Sequence, residues 1–533
     1  MAENPFAEFD DAFRNAKTAK PSIQSEFPTT VYKPTHTPSK YQQVIYDWIK
    51  TGSGNAVVEA VAGSGKTTTI LDSLHLTSGK VLFTAFNTHT AADLQRRSPP
   101  HVRVMTLHKL GLRTINRSVR GCEVDDSGLK IDTLLELQFP DSENMDRTRE
   151  MRSIAKRLVS MAKSTLIDTD DPKAVSEMAD HFRIGSENLD DADMAEIGRE
   201  IPVLMGLCLE DTSKIDFDDM TWIPVVRKMS VERFDWVFVD ECQDMNRCQL
   251  ELVMRAGTAG TRFVCVGDRN QAIYGFRGAD TRAIESTIER LDAEVFPLSI
   301  TYRCPIQHVA LSKKIVSEIE PRPGAPEGVV GHMKLAQALP FMTQWDLVLC
   351  RTNAPLIRVA FSLIRAGKKA VIRGRDIGAG ICSLIRRVAR KKLSAMAVED
   401  FLEKLDLYFR KEILKLKAAK KSTVTLSDQV ETIKVLSEDV VDLQELVDKT
   451  LSIFDDKAQG VVCSSVHKAK GLEANRVFVI SPELMPHPMA EQPWEIEQEM
   501  HIKYVALTRS KSEMYFVTMP EVPKVYEEEI TMT

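Results

Sequence analysis

The sequence lacks long apolar segments. Its 533 residues contain no uncharged apolar run of about 18 residues, the length that a membrane-spanning helix needs. The first residues, Met-Ala-Glu-Asn-Pro-Phe, show neither the basic start nor the apolar stretch of a secretory signal. We therefore expect a protein of the cytoplasm that neither spans a membrane nor is exported.

Closely spaced cysteines and a surplus of one charge are also missing. The nine cysteines form no Cys-x-x-Cys pair, which argues against a zinc site or a disulfide framework. The chain carries 70 basic and 76 acidic residues, so its net charge of −6 gives no overall indication of a nucleic-acid partner. The 43% hydrophobic and 27% charged residues are typical of a globular protein, and the length predicts about three or four domains.

A glycine-containing stretch near residue 60 predicts a phosphate-binding loop. A strand-like apolar run ends at Val58, and a helix-like segment begins at Lys66. Gly63 and Gly65 allow the backbone angles of a loop whose N–H groups hold phosphates, Lys66 would reach the outer phosphates, and Thr67 could bind Mg²⁺. A plain turn is the alternative. The predicted nucleotide cradle comprises Ala62, Gly63, Ser64, Gly65, Lys66, Thr67 and Thr68.

Strand-like and helix-like segments alternate around this loop. The apolar runs that are typical of buried strands lie at 81–86, 102–106, 236–239 and 263–267. Such alternation predicts a parallel, doubly wound α/β sheet with its ligands at the carboxyl ends of the strands. Phe86 lies at one such end, where it would either stack on a base or belong to the core. Residues 112–224 break the alternation and indicate a helical insertion.

Polar residues follow two of these strands. Asp240 could hold Mg²⁺ through its water shell, and Glu241 could take a proton from attacking water, although two acids after a strand can also simply begin a loop. Gln271, after the next strand, could sense a γ-phosphate. Tyr274 and Phe276 follow on the same loop, where they would stack on bases or pack between domains.

A second α/β region begins near Val295. Its strand-like runs end near Tyr302 and Arg351, and the alternation returns from Val461. Between them, residues 377–456 are helical and basic, a pattern that is typical of solvated helix faces but could also bind phosphates. The basic clusters are Arg386, Arg387, Arg390, Lys391 and Lys392, then Lys411, Lys415, Lys417, Lys420 and Lys421.

The beginning of the chain has a different composition. Residues 1–37 contain several prolines, and the first thirteen carry four acidic residues and Phe6, Phe9 and Phe13 but no basic residue. We expect a disordered arm, either a solvated tail or a segment that folds on contact with a protein partner.

Seven motifs follow one another between Gln42 and Arg509. They are Ala-Gly-Ser-Gly-Lys-Thr, Thr-Leu-His, Val-Asp-Glu-Cys-Gln-Asp, Val-Gly-Asp-Arg-Asn-Gln-Ala-Ile-Tyr-Gly-Phe-Arg-Gly-Ala, Tyr-Arg-Cys-Pro, His-Lys-Ala-Lys-Gly-Leu-Glu and Tyr-Val-Ala-Leu-Thr-Arg. With these motifs in this order, the chain resembles superfamily 1 DNA helicases of the UvrD/Rep (PcrA-like) family, and it is also similar to the helicase part of F-box DNA helicases.

The resemblance implies an α/β fold of two RecA-like P-loop domains with parallel sheets, each interrupted by a mainly helical insertion. The implied boundaries are an arm at 1–37, a first RecA-like domain at 38–111 and 225–295 with its insertion at 112–224, and a second at 296–376 and 457–533 with a small basic insertion at 377–456.

The resemblance also implies residue roles. Gln42 would read the adenine, Tyr302 would stack on it, and Glu473 would contact the ribose or phosphates. Arg303 and Arg509 would be arginine fingers that reach the transferred phosphate from the second sheet. The implied catalytic residues are Lys66, Asp240, Glu241, Gln271, Arg303 and Arg509, with Thr67 and Asp240 as the Mg²⁺ ligands. The implied contacts to single-stranded DNA are Phe86, Thr106, His108, Tyr274, Phe276, Arg351, Asn353 and His467.

The chain departs from the family pattern at several positions. Ala60 stands where the phosphate loop usually has glycine, Thr68 where the family often has arginine, and Phe276 where it usually has tryptophan. The insertion at 377–456 is much shorter than the family's 2B domain, so the family's way of engaging duplex DNA does not transfer directly.

The implied function is a DNA helicase that depends on ATP and Mg²⁺, in replication, repair or recombination. It would move 3′ to 5′ on single-stranded DNA and unwind duplexes at single/double-strand junctions. A second hypothesis, consistent with the short insertion and the acidic arm, is a translocase that mainly strips proteins from single strands. A third is a nucleotide-gated DNA-binding subunit with little turnover, against which the intact catalytic set argues.

Overall fold

The structure is a computed structural model that describes residues 36–520 apart from short segments. The segments outside the description are 120, 187–188, 274–281, 374, 391–395, 419–423, 439, 455–459, 489 and 491–492. The chain divides into two compact units, Met1–Ile300 and Thr301–Thr533. Within the described residues, every helix is too short or too polar to cross a membrane.

The first unit is built on a six-stranded parallel sheet. Its strands are β1 (Asn55–Ala60), β2 (Val81–Thr84), β3 (Val102–Met105), β6 (Trp236–Asp240), β7 (Arg262–Gly267) and β8 (Ala293–Leu298), in the order β3-β2-β6-β7-β1-β8. Its helices are α1 (Lys40–Thr51), α2 (Lys66–Leu74), α3 (Thr88–Arg97), α4 (Leu107–Ser118), α10 (Arg247–Arg255) and α11 (Ala283–Leu291). The central strands are apolar on both faces, as parallel strands covered by helices must be. Phe83, Phe238 and Phe263 are therefore fully buried.

Five helices and a two-strand ladder interrupt this unit. They are β4 (Glu123–Val124), α5 (Leu129–Gln138), α6 (Met145–Thr165), α7 (Pro172–His181), α8 (Asp191–Glu210), β5 (Lys214–Ile215) and α9 (Phe217–Val226). Their apolar residues form one cluster with residues of the sheet. Inside the insertion, Lys130 and Lys163 each place Nζ 2.7 Å from a carboxylate oxygen of buried Asp219. Such a buried set is stable only when complete, because removing one member leaves an uncompensated charge.

The second unit contains another six-stranded parallel sheet. Its strands are β11 (Val329–Lys334), β12 (Leu347–Cys350), β13 (Ala370–Arg373), β14 (Val461–Ser465), β15 (Ala474–Ile480) and β16 (Ser510–Thr518), in the order β11-β16-β15-β12-β14-β13. A small ladder of β9 (Ile300–Thr301) and β10 (Glu320–Pro321) precedes it. The accompanying helices are α12 (Ile306–Ser312), α13 (Leu335–Ala338), α14 (Asn353–Arg365) and α19 (Pro493–Leu507).

The small insertion of the second unit is anchored to its sheet. Its helices are α15 (Arg375–Ala389), α16 (Val398–Ala418), α17 (Val424–Ser437) and α18 (Leu443–Ile453), and they share one apolar core with the sheet. Asp428 of α17 accepts hydrogen bonds from the backbone N–H groups of Asn353 (2.7 Å) and Ala354 (3.0 Å) and from Nδ2 of Asn353 (2.6 Å). Burial raises the pKa of Asp428, although these bonds oppose the rise. A carboxylate of the insertion thus caps the start of α14, where the helix dipole favours negative charge.

The domain boundary expected at 295/296 is wrong. It falls inside β8, which pairs with β1 from Ala293 to Leu298, so this strand completes the first sheet. β8 lies at the edge of the sheet, and it contains Glu294 and Pro297. An edge strand tolerates proline and needs no continuous apolar run, which is why the sequence pattern assigns it to the next domain.

Candidate active site

The loop between β1 and α2 has the geometry of a phosphate cradle. Gly63 and Gly65 have φ angles of 70° and 84°, in the left-handed region that glycine adopts readily. Gly65 is the N-cap of α2, so the first N–H groups of the helix lie at this loop. The hydroxyl of Ser64 is buried and has no hydrogen-bond partner among the described residues. An orphaned hydroxyl beside a helix N-terminus fits the phosphate chain of a nucleotide.

The other residues of the predicted cradle lie on either side of this turn. Ala62 is fully buried, and Thr67 and Thr68 are half-buried in the first turn of α2. Asp240, the last residue of β6, lies close enough to Lys66 for its charge to raise the pKa of the lysine. A hydroxyl and a carboxylate are oxygen ligands of the kind that Mg²⁺ prefers, so Thr67 and Asp240 fit that ion.

The side chain of Lys66 is 12% exposed and faces three carboxylates. Its Nζ lies 3.0 Å from Oε2 of Glu241. Burial alone lowers the pKa of Lys66, but the charges of Glu241, Asp268 and Asp240 outweigh burial and raise the pKa to about 12. The lysine therefore keeps its positive charge at any physiological pH.

Glu241 has an unusual backbone conformation. Its φ of 54° and ψ of 43° lie in the left-handed region. For a residue with a β-carbon this costs about 1–2 kcal/mol. Asp240, which ends β6, accepts a hydrogen bond from the backbone N–H of Glu241 at 3.0 Å. The strain marks the point where the strand stops and the second acid turns away from it.

A chain of hydrogen bonds connects Lys66 with Gln271. Gln243 donates from Nε2 to Oε2 of Glu241 (2.5 Å), and its Oε1 accepts from the backbone N–H of Asp268 (3.0 Å). The carboxylate of Asp268 accepts from Nε2 of Gln271 (2.6 Å). Asp268 is fully buried, and burial raises its pKa against the opposing effects of Lys66 and Gln271. Two acids, one cation and two amides therefore form one connected group at the carboxyl edge of the sheet.

Gln243 and Asp268 are site residues that the sequence pattern does not single out. Each lies inside one of the seven motifs, but a polar residue just after a strand indicates only a turn. A better signal is Gly267, where a β-carbon would lie 2.6 Å from Oε1 of Gln243 and 2.7 Å from Sγ of Cys242. Glycine at this position leaves room for the amide that joins the two strand ends.

Gln42 is buried at the start of α1. Its Oε1 accepts from the backbone N–H of Ser39 (2.9 Å), and the Ser39 hydroxyl accepts from the backbone N–H of Gln42, which completes a capping box. Its Nε2 donates to Oγ1 of Thr69 on α2 at 3.0 Å. Gln42 therefore lies next to the helix that follows the phosphate loop, and its adenine contact stays a prediction.

In the second unit, predicted site residues share an ion-pair cluster. Arg303 donates from Nε to Oε2 of Glu473 at 2.7 Å, and Nζ of Lys511 lies 2.5 Å from the other oxygen of Glu473. Burial raises the pKa of Glu473, but Lys511 and Arg303 outweigh burial and lower it. Arg509 is only 2% exposed and donates to backbone carbonyls of α19 and of the segment before β15. Tyr302, next to Arg303, is exposed.

The predicted DNA contacts of the first unit differ in their surroundings. Phe86 follows β2 and is 57% exposed, as a stacking platform requires. Thr106 is buried as the N-cap of α4, and its hydroxyl accepts from the N–H three residues on. The ring of His108 packs edge-on against a phenylalanine of α9 at 6.1 Å, and burial lowers its pKa. Tyr274 and Phe276 lie outside the described residues.

The predicted DNA contacts of the second unit have internal partners. Arg351 binds Glu499 through Nε and a terminal nitrogen, with distances of 2.9 and 2.6 Å to Oε1. The side chain of Asn353 donates to Asp428, as described above. His467 is half-buried just after β14. Their roles toward DNA stay predictions.

Comparison with known proteins identifies the two halves. Residues 46–292 match the family model for the UvrD/REP helicase N-terminal domain, and residues 385–521 match that for the UvrD-like helicase C-terminal domain. The predicted α/β fold of two RecA-like domains, each with a parallel sheet and a mainly helical insertion, is confirmed.

Individual relatives are distant. The chain is 23% identical to ATP-dependent DNA helicase PcrA of Bacillus subtilis over 48% of this chain and 36% of the relative. It is 25% identical to F-box DNA helicase protein 1 of Schizosaccharomyces pombe over 43% of this chain and 27% of the relative. It is 25% identical to ATP-dependent DNA helicase UvrD2 of Mycobacterium tuberculosis over 86% of this chain and 75% of the relative. The chain thus spans well under half the length of the PcrA and F-box relatives, yet the two matched domains cover most of its own length. We conclude that it belongs to the UvrD/Rep family of helicases.

Proposed function

We propose that this chain is an ATP-dependent DNA helicase that moves 3′ to 5′ on single-stranded DNA and couples ATP hydrolysis to duplex unwinding. The observation that carries the proposal is the network of Lys66, Glu241, Gln243, Asp268 and Gln271. It joins residues suited to ATP hydrolysis to Gln271, which comes shortly before the predicted base-stacking residues in the sequence. The names of the relatives, ATP-dependent DNA helicase PcrA and UvrD2, support the same activity.

The residues of the first unit have separate roles in hydrolysis. The loop N–H groups and the positive end of α2 hold the phosphates, and Lys66 neutralises the outer ones. Thr67 and Asp240 would hold a Mg²⁺ ion, which would further neutralise the phosphate charge. Glu241 accepts a proton from the attacking water, which is typically worth about 10²–10⁴ in rate. Gln243 is a positioning residue that holds the carboxylate of Glu241.

Phosphate binding strengthens Glu241 as a base. A carboxylate that is paired with a lysine holds its negative charge tightly and is therefore a weak base. When a phosphate takes over part of the charge of Lys66, the ion pair with Glu241 weakens and no longer holds the carboxylate so strongly as an anion. The base is then activated only when a nucleotide is bound.

The hydrogen bonds between the two strand ends couple hydrolysis to DNA. A shift of Glu241 displaces the amide of Gln243, which is bonded to the backbone N–H of Asp268. The displacement is passed on to Gln271 because the carboxylate of Asp268 accepts a hydrogen bond from it. The segment after Gln271 contains two aromatic residues, Tyr274 and Phe276. Stacking of about 1–3 kcal/mol per base is strong enough to hold a strand and weak enough to release it in each cycle.

We assign Arg303 and Arg509 to stabilisation of the transferred phosphate, Gln42 and Tyr302 to the adenine, and Glu473 to the ribose or phosphates. The Arg303–Glu473 pair supports this assignment because it holds the two side chains 2.7 Å apart within the second unit. Arg303→Ala should then lower the rate of hydrolysis much more than the affinity for ATP, because the charge that it stabilises develops during the reaction.

ATP hydrolysis tests the proposal directly. Single-stranded DNA should accelerate hydrolysis severalfold or more, and Glu241→Gln should abolish turnover while ATP binding persists. Glu289→Gln is a matched control, because this carboxylate of the same unit is 71% exposed on α11. Undiminished hydrolysis in Glu241→Gln would remove Glu241 from its role, and a rate that is indifferent to DNA would refute a DNA-driven motor.

A translocase that mainly strips proteins from single strands is the second candidate. It is favoured by the short insertion, which Asp428 and a shared apolar core fix to the second sheet. Displacement of labelled strands from duplexes with 3′ or 5′ tails separates the candidates. Displacement only from 3′ tails supports unwinding with the proposed polarity, and displacement only from 5′ tails contradicts the polarity. Displacement from neither, with release of a protein block from single-stranded DNA, supports stripping.

A further inference from the structure

Helix α4 carries a row of basic side chains along its exposed side. Lys109, Arg113 and Arg117 follow one another at intervals of four residues, which places them on one face of the helix. The side chains of Arg113 and Arg117 are 42% and 46% exposed, and Lys109 is also exposed. The row is about 12 Å long at a rise of 1.5 Å per residue. We call these three residues the basic stripe of α4.

Two further cations join the end of the stripe through one carboxylate. Glu232, in the segment before β6, has one oxygen 2.9 Å from a terminal nitrogen of Arg117 and 3.4 Å from one of Arg113. Its other oxygen accepts a hydrogen bond from Arg103 of β3 at 2.5 Å and lies 3.8 Å from Nζ of Lys80. Four cationic groups are therefore gathered around one anion.

The cluster around Glu232 keeps an excess of positive charge. A second carboxylate, that of Asp235, accepts a hydrogen bond from the backbone N–H of Lys80 at 2.6 Å. Four cations thus face two carboxylates, and two positive charges remain in excess among these residues. Because like charges repel, this is more positive charge than is needed to fix the segment before β6 to α4 and β3. The excess favours an anion from outside the chain.

A phosphodiester strand fits this surface better than an acidic protein segment. A guanidinium group binds phosphate oxygens through two parallel hydrogen bonds, and a strand offers one negative charge at every nucleotide. A protein partner would also need apolar anchors on the surface that it covers. The apolar side chains of α4, such as Leu110 and Ile115, are instead buried in the core. The stripe therefore offers a partner charge without an apolar contact.

The position of the stripe connects it with the predicted DNA contacts. It begins one residue after His108, near the carboxyl edge of the first sheet. It ends at the amino edge, where Arg103 and Lys80 lie at the starts of β3 and β2. We propose that the single DNA strand that passes His108 continues along the basic stripe of α4 to the cluster around Glu232. This inference rests on the proposed function and extends its DNA path by about two to four nucleotides.

Equilibrium binding of labelled oligo(dT) in the absence of nucleotide tests this path. Arg113→Gln with Arg117→Gln should lower the slope of log Kd against log salt by about 1.4, because each phosphate contact on a single strand contributes about 0.7. Over one decade of salt this amounts to about 25-fold in affinity. Wild-type affinity should also keep rising with strand length for about two to four nucleotides after that of the variant has levelled off.

Arg149→Gln with Lys173→Gln is the matched control. It removes the same charge from α6 and α7 of the insertion, where the side chains are 68% and 80% exposed and each lies near a carboxylate of its own helix. The salt slope of this variant should equal that of the wild type. Both double variants should show wild-type circular dichroism, because every substituted side chain lies on the surface.

Glu232→Gln separates a binding surface from a purely structural cluster. Removing an anion that competes with phosphate should strengthen DNA binding severalfold, whereas losing a structural anchor would weaken it. Weaker binding in Glu232→Gln would overturn the proposal, and so would an unchanged slope in the arginine variant. Binding of polyglutamate that needs these arginines, while DNA binding does not, would assign the surface to an acidic protein and also overturn it.

The same measurements distinguish failure of this path from failure of the proposed motor. If the salt slope of the arginine variant is unchanged while DNA still stimulates ATP hydrolysis, the path along α4 is wrong and the motor stands. If the wild-type chain binds no single-stranded DNA, both are wrong.

Discussion

Gly267→Ala tests whether Gln243 positions the carboxylate of Glu241. Gly267 ends β7, and a β-carbon there would lie 2.6 Å from Oε1 of Gln243 and 3.2 Å from its backbone nitrogen. The 2.6 Å contact is sterically forbidden and the 3.2 Å contact is tight, so the amide of Gln243 has to move. In moving, it loses its bonds to the N–H of Asp268 (3.0 Å) and to Glu241 (2.5 Å).

The size of the effect follows from the bonds that are lost. A hydrogen bond to a charged group contributes about 1.5–3 kcal/mol, and that contribution is lost from the positioning of Glu241. If the loss falls on the transition state, the rate of hydrolysis drops about 10- to 150-fold. ATP affinity should change little, because the phosphate loop and Lys66 are not displaced by the added methyl group.

Steady-state ATP hydrolysis with saturating single-stranded DNA measures this effect, and nucleotide binding is measured separately. Gly260→Ala is the matched control, because it precedes the same strand and a β-carbon there meets nothing within 4 Å. Both variants should show wild-type circular dichroism. If Gly267→Ala and Gly260→Ala hydrolyse ATP equally fast, Gln243 does not position Glu241. If Gly267→Ala loses ATP binding as well, the added methyl group acts on the phosphate loop instead.

Three further predictions concern charge and anchoring. Lys66→Met should lower ATP hydrolysis about 10²-fold or more and weaken nucleotide binding, because the phosphates lose a buried cation; wild-type binding would contradict this. Asp428→Ala should raise hydrogen exchange at the start of α14 and in α17, because three hydrogen-bond donors lose their acceptor, at a cost of about 3 kcal/mol in stability. The control, Asp442→Ala, removes one cap bond of α18 and should cost about 1 kcal/mol. Equal costs would contradict the anchor. Hydrogen bonds from Ser127 and neighbouring backbone groups lower the pKa of Asp125 from 3.8 to about 2. The ionised carboxylate of Asp125 therefore stabilises the start of α5 fully above pH 3.8, and this stabilisation is lost as the pH falls through 2. Asp125→Asn should make the hydrogen-exchange protection of α5 independent of pH in this window.

Local pattern predicts the sheet strands well where burial is complete. The apolar runs at 236–239 and 263–267 correspond closely to β6 and β7, because central parallel strands must be apolar on both faces. Gly63 and Gly65 adopt the left-handed backbone that a phosphate loop needs. In each case the residues that form the sequence pattern are themselves the residues that must be buried or must adopt the unusual backbone angles.

Long-range partners escape the sequence pattern. Asp428 binds the start of α14 across 75 residues, and Gln243 joins Asp268 across 25. Nothing in the local sequence distinguishes such a carboxylate from a solvated one on a helix surface. Arg351 illustrates the same limit, since its motif indicates a DNA contact while the fold gives it a buried carboxylate partner, Glu499. Residue type and position can therefore name the candidates but not the partners.

Internal carboxylates bear on how the proposed motor releases its product. Lys66 is paired with Glu241, and Arg303 is paired with Glu473. An unpaired buried cation would cost several kcal/mol, so departure of a phosphate that left one behind would be slow. In the proposed motor each cation would return to its carboxylate, so nucleotide binding would exchange one ion pair for another, and its free energy would be the difference between the two. Such an exchange favours moderate affinity and rapid release, which a motor that turns over repeatedly on a DNA strand requires.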